Sequence, residues 1–95
     1  MNFLIVGYGI QGKKRNKILK KYNLNCVGIV DPIEKGAKYK TLREVPLKNY
    51  DSVIICTPEK VKYELVEYSV KNKKNILIEK PFNINEKKFK NLNKL

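Results

Sequence analysis

Met1-Asn2-Phe3-Leu4-Ile5-Val6-Gly7-Tyr8-Gly9-Ile10-Gln11-Gly12 is the stretch on which the reading of this chain turns. Asn2 to Val6 is a short apolar run that stops abruptly at Gly7, and a lysine-rich segment of helical character follows Gly12. Strand, G-x-G-x-x-G and helix, in that order, is the arrangement that receives the pyrophosphate of a dinucleotide. Each glycine has its own task. Gly7 lets the chain turn tightly off the strand, Gly9 leaves the backbone open to a phosphate, and Gly12 lets the helix lie close to the strand. The helix start adds unpaired N–H groups and a positive dipole end. Gly7, Tyr8, Gly9, Ile10, Gln11 and Gly12 are therefore the candidate phosphate loop. The same motif also occurs as a plain tight turn, so the remaining residues must decide.

Working outward, strand-like and helix-like segments alternate. A helix is expected over 10–22, with Ile10, Ile18, Leu19 and Tyr22 on its apolar face and Asn23 as its stop. The run 25–30 is nearly all apolar, as a strand covered on both faces should be, and it ends at Asp31-Pro32. Residues 33–38 can form a short helix at most. A short edge strand over 39–41 and one helical turn around 43–45 are expected before a strand over 52–56. A helix over 59–72 follows, with Val61, Leu65, Tyr68 and Asn72 on one stripe joined by Val66 and Val70. The next strand is 75–78. Asn85 is an N-cap for a last helix whose apolar positions are Phe89, Leu92 and Leu95. This alternation predicts an α/β fold, an open, doubly wound parallel sheet of about five strands in the order 3-2-1-4-5. The first and fourth strands are then neighbours whose helices leave on opposite faces. Three loops open on one carboxyl edge at that point: 7–12, 57–60 and 79–82.

Three positions in those loops and the one beside them carry candidate chemistry. Asp31 lies 19 residues beyond Gly12, at the distance expected of the acid that binds a ribose. Its carboxylate would accept bonds from the 2′- and 3′-hydroxyls and repel a 2′-phosphate, which favours NAD over NADP; Lys35 and Lys38 just downstream soften that preference. Asp31-Pro32 can also be read as an ordinary turn at a strand end. Thr57-Pro58 either walls the cofactor crevice or merely places a proline in the first turn of a helix. Lys80 is one of nineteen lysines, yet it follows an apolar strand and is pinned between Glu79 and Pro81. A lysine held there beside a nicotinamide could deprotonate a substrate hydroxyl.

Composition narrows the alternatives. Ninety-five residues make one small domain, and 42% apolar content suits a globular core. No apolar run approaches the ~18 residues of a membrane span. The apolar N-terminus is too short for a secretory signal and runs into the glycine motif, so the cytoplasm is the expected location. Cys26 and Cys56 sit in apolar runs without C-x-x-C spacing, and there is no histidine, so no zinc site is expected and both read as buried reduced thiols. The net charge of +12 rests almost entirely on lysine, with Arg15 and Arg43 the only arginines. Specific phosphate and base recognition favours arginine, which disfavours a nucleic-acid partner. A Lys/Asn/Ile/Tyr bias is what an AT-rich coding sequence would give.

Four segments together resemble the N-terminal domain of the Gfo/Idh/MocA oxidoreductases: 6–13, with the glycine motif; Val30-Asp31-Pro32; Ile54-Ile55-Cys56-Thr57-Pro58; and Ile76-Leu77-Ile78-Glu79-Lys80-Pro81-Phe82. The resemblance spans nearly the whole chain in the family's order, and its specific part is Glu-Lys-Pro combined with the glycine motif. It implies a Rossmann-type NAD(P)-binding domain over 1–95 and hydride transfer at a hydroxyl-bearing carbon of a sugar, cyclitol or related polyol. It implies that Lys80 is the active-site lysine, with Glu79 beside it, that Gly7, Gly9 and Gly12 hold the pyrophosphate, and that Asp31 holds the adenosine ribose. The family often carries histidine where Arg15, Lys62 and Asn75 stand here, and glycine where Lys73 stands. Its enzymes also have a second α/β domain, which supplies substrate contacts and usually the oligomer interface; this chain is expected to lack it and to turn over no substrate alone. A competing reading is a non-catalytic module that senses NAD(H), which would have no need of Glu79-Lys80-Pro81.

Overall fold

The computed structural model describes residues 1–95. The elements in order are β1 (Asn2–Val6), α1 (Ile10–Lys21), β2 (Asn25–Val30), two 3-10 turns (Leu42–Glu44 and Leu47–Asn49), β3 (Ser52–Ile55), α2 (Glu59–Lys71), β4 (Asn75–Ile78) and α3 (Glu86–Asn93). The strands form one sheet in the order β2-β1-β3-β4, with every pairing parallel. This is the expected order with its outermost strand reduced to a single bridge. Tyr39 pairs with Val30, and its backbone exchanges bonds with Ile29 and Asp31, after which the chain turns away. Thr41 and Glu44 then close a capping box on the first 3-10 turn, which sends Leu42 and Val45 into the core.

Alternation along the strands separates two cores. Leu4, Val6, Val53 and Ile55 point to the face covered by α2 and the 39–50 connector, where Tyr50 and Val66 join them. Ile5 and Ile54 point to the opposite face, against Leu19 of α1. In β2 the register slips by one residue: Phe3 pairs with Cys26 but Leu4 pairs with Gly28, which leaves Val27 as a bulge. Without that slip Ile29 and Val30 would face the wrong cores. β4 is an edge strand. Its Leu77 lies opposite Ile54 and is 50% exposed, because α1 covers only the β2–β1–β3 part of that face.

The helix faces differ from the expected ones. In α1 the buried residues are Gly12, Asn16 and Leu19, whereas Ile10 is 75% exposed and Ile18 and Tyr22 are exposed as well. The reason is geometric. A Cβ on Gly12 would lie 2.0 Å from the Gly7 carbonyl oxygen, so Gly12 is the point of contact with the strand end. The residues one and two turns on, Asn16 and Leu19, then face inward by the helix period. In α2 the fully buried line is Lys62, Val66 and Ser69, with Leu65, Tyr68 and Val70 flanking it half-buried and Val61 turned out. In α3 only Leu92 packs on the main core, and Asn85 caps the helix by accepting the Lys88 N–H at 2.8 Å. Phe89 and Leu95 are exposed, and Leu95 lies beyond the end of the helix.

α1 and α2 both stop on a residue in the left-handed region, Asn23 (φ 56°) and Lys73 (φ 59°). Asn tolerates that conformation, whereas lysine there is strained. Lys73→Gly is therefore expected to raise the unfolding free energy by about 1 kcal/mol in a urea titration. Gly12→Ala is expected to lower it by about 3 kcal/mol, because the added methyl meets backbone that cannot give way.

Candidate functional site

The carboxyl ends of β1, β3 and β4 are tied together one residue past the strands. Gly7 N–H donates to the Val30 carbonyl at 2.7 Å, Cys56 N–H to Val6 at 2.8 Å and Glu79 N–H to Ile55 at 2.9 Å. The three loops thus start in fixed register. Gly7 sits in the left-handed region (φ +93°), and a Cβ on it would lie 2.8 Å from the Cys56 carbonyl carbon and 2.9 Å from the Thr57 nitrogen. At Gly9 the same construction meets nothing within 4 Å. The space in front of Gly9 is open, and no side chain caps the start of α1. Ile10 and Gln11 are exposed beside it. These residues could take a pyrophosphate.

Asp31 is built into this loop. One carboxylate oxygen accepts the Tyr8 N–H at 2.8 Å; the other accepts the Ile33 and Glu34 N–H groups at 2.9 and 3.0 Å. Burial pushes its pKa up, but the three backbone bonds and the nearby Lys13 outweigh this and hold it below the usual carboxylate range. A carboxylate with about four acceptor positions keeps capacity for a ribose hydroxyl. Pro32 is exposed beside it. The Tyr8 hydroxyl accepts from Asn16 of α1 at 3.0 Å, which ties the ring to the helix.

On the other side of the crevice, Thr57 Oγ1 is buried without a hydrogen-bond partner, and Pro58 is the N-cap of α2, one residue before the helix begins. The Glu79-Lys80-Pro81 segment is gripped from two helices. Arg15 of α1 donates to the Glu79 carboxylate and forms an ion pair with it. Lys62 of α2 donates to the carbonyls of Glu79 and Pro81. The Glu59 carboxylate accepts the Asn83 N–H at 3.1 Å. Lys80 itself is exposed and makes no hydrogen bond or ion pair. Cys56 lies under this cluster. Burial, with Glu79 adding to it, pushes its thiol up to about 11 against Arg15 and Lys62, so it is not a thiolate nucleophile at neutral pH.

The glycine loop, Asp31, Thr57-Pro58 and Glu79-Lys80 therefore share one edge of the sheet. Sequence reasoning missed Asn16, and it marked Arg15 and Lys62 only as places where the family the chain resembles often carries histidine, without giving them a role. In a chain with nineteen lysines the composition hides Lys62; beside that family position, its signal was its place one turn before Val66 on the face that must meet the sheet. A concavity of about 610 Å³ contains none of these residues: it lies along α2 from Glu64 to Asn72, between Arg43 and Leu95, and its wall is mostly charged. Strand ends and free backbone donors locate a dinucleotide crevice better than depth does.

The model of the oxidoreductase family Gfo/Idh/MocA, NAD-binding Rossmann fold, matches residues 1–95. No curated protein matches the chain. Among solved structures, the UDP-N-acetylglucosamine 3-dehydrogenase of Acidithiobacillus ferrooxidans superposes with a TM-score of 0.82 at 20% identity, covering 99% of this chain and 34% of that one. The myo-inositol 2-dehydrogenase of Lactobacillus plantarum gives 0.83 at 16%, covering 99% and 32%. An NAD-binding protein from Listeria innocua gives 0.77 at 25%, covering 98% and 31%. The chain thus spans about a third of the length of the structures it matches.

The linkage at Asp31 has a definite sign. Its folded pKa lies below the unfolded value, so the stabilisation is complete above about pH 4 and is lost as pH falls through the folded value. The urea midpoint of Asp31→Asn should therefore trail the parent chain most at pH 6, with the gap closing toward pH 3. A gap independent of pH would mean that the carboxylate charge does not matter to these three bonds.

Proposed function

The chain belongs to the Gfo/Idh/MocA oxidoreductase family as its NAD-binding Rossmann domain, and we propose that it holds the cofactor half of a hydride-transfer site for a sugar, cyclitol or related polyol. The observation that carries this reading is the open space before Gly9, on the edge where Asp31 and Lys80 also stand. NAD, when bound, supplies the hydride acceptor. Gly7, Tyr8, Gly9, Ile10, Gln11 and Gly12 form the loop that holds its pyrophosphate, with the unpaired backbone N–H groups at the start of α1 as donors, and Asp31 and Pro32 hold the adenosine ribose. Thr57 and Pro58 wall the crevice, and the free Thr57 hydroxyl gains a partner there. Glu79 and Lys80 stand at the nicotinamide end, and Lys80, in its neutral amine form, would take the proton from the substrate hydroxyl as its carbon loses hydride.

The chain spans about a third of the length of the dehydrogenases of similar structure, and the proposal concerns the cofactor half of the site. That these dehydrogenases act on a nucleotide sugar and on a cyclitol supports the substrate class. The site of action is the cytoplasm, where the nicotinamide pool lies; no helix is long and apolar enough to cross a membrane.

Nicotinamide fluorescence titrations test the reading. NADH is expected to bind roughly tenfold more tightly than NADPH, since a 2′-phosphate would meet Asp31 at a cost of about 1–2 kcal/mol. Equal affinities would remove Asp31 from the ribose site, and silence with both would remove the cofactor reading. Gly9→Ala is expected to leave stability within about 1 kcal/mol, because its methyl meets nothing in the free chain, and yet to weaken NADH binding.

A further inference from the structure

We propose that Lys62 is the positioning residue of this site: its buried ammonium fixes the two carbonyls that flank Lys80 and so presents the Lys80 side chain to the crevice. The proposal rests on the functional reading above. Lys62 is 1% exposed and lies on the inner line of α2, one turn before Val66. Its ammonium donates to the Glu79 carbonyl and, at 2.8 Å, to the Pro81 carbonyl. No carboxylate pairs with it. A lysine in that place loses its hydration, and two carbonyls return only part of it. An apolar side chain of similar length would fill the same space without that cost, so packing alone does not account for a charge at this position. The charge satisfies two carbonyl oxygens that would otherwise point into the core on either side of Lys80.

The neighbouring contacts serve the same end. Arg15 takes the Glu79 side chain and Glu59 takes the Asn83 N–H. Phe82 packs on the main core. Every residue from Glu79 to Asn83 is thereby held through side chain or backbone except Lys80, which is left free. Arg15 and Lys62 reach the segment from helices on opposite faces of the sheet, so its position is set by both layers.

The test compares NADH with ADP-ribose, which lacks the nicotinamide, on the parent chain, Lys62→Met and Lys62→Arg. Lys62→Met is expected to weaken NADH by about tenfold while leaving ADP-ribose within about twofold, because only the β4 end of the crevice loses its order. Lys62→Arg, which still donates to both carbonyls, should recover most of the NADH affinity. Glu59→Ala, at an exposed residue, releases the same segment at Asn83 and should show the same selective loss to a smaller degree, which serves if Lys62→Met does not fold. Equal loss of both ligands, or no loss of either in Lys62→Met and Glu59→Ala, would overturn the positioning role and leave the functional reading standing. Failure of the parent chain to bind either ligand would overturn the functional reading, and the proposal with it.

Discussion

Three stretches of backbone meet at Gly7 with no side chain between them. The Cys56–Thr57 peptide lies where a Gly7 Cβ would be, and the Gly7 carbonyl lies where a Gly12 Cβ would be. This contact sets two things at once. It fixes the distance between β1 and the loop after β3, which is the width of the crevice. It also fixes the rotation of α1, because Gly12 can only face the strand. From that rotation Asn16 meets Tyr8, Leu19 enters the core, and Arg15 is left at the flank from which it reaches Glu79.

The second layer of organisation is electrostatic. The segment after β4 has little apolar anchorage beyond Phe82, and its order comes from charged groups on α1 and α2. Such contacts hold geometry more than they add stability, since desolvation offsets much of their attraction. The same logic applies at Asp31, where three backbone donors keep the carboxylate ionised and fix the loop against Tyr8. Both ends of the crevice are thus preorganised by polar bonds, over a sheet held by packing.

Much of the fold was legible in the sequence because its signals were local. β2 and β4 follow from apolar runs that end at Asp31-Pro32 and Glu79-Lys80-Pro81, and α3 from Asn85. The edge strand at 39–41 failed because a three-residue segment leading into a capping box has no length for a ladder; only Tyr39 pairs. The apolar faces of α1 and α2 were legible only in part, with Leu19 and Val66 buried and Leu65, Tyr68 and Val70 against the core as expected, for a different reason. Hydropathy placed the isoleucines of α1 inward, but the Gly12 contact overrides hydropathy and turns Asn16 in instead. In α2 the buried line includes Lys62 and Ser69, each satisfied by carbonyls that no sequence pattern reveals. The site residues carried by motif were readable as a set; those that hold the motif in place depend on contacts between α1, α2 and the loop after β4.

The proposed site requires that one dinucleotide lie across the carboxyl edge from β2 to β4. Amide chemical shifts of the isotope-labelled chain on addition of NAD test it directly. Shifts are expected at Gly9 to Gly12, at Asp31, at Thr57 and at Glu79 to Lys80, with the outer lysines of α1 unmoved. Shifts confined to those lysines would contradict it.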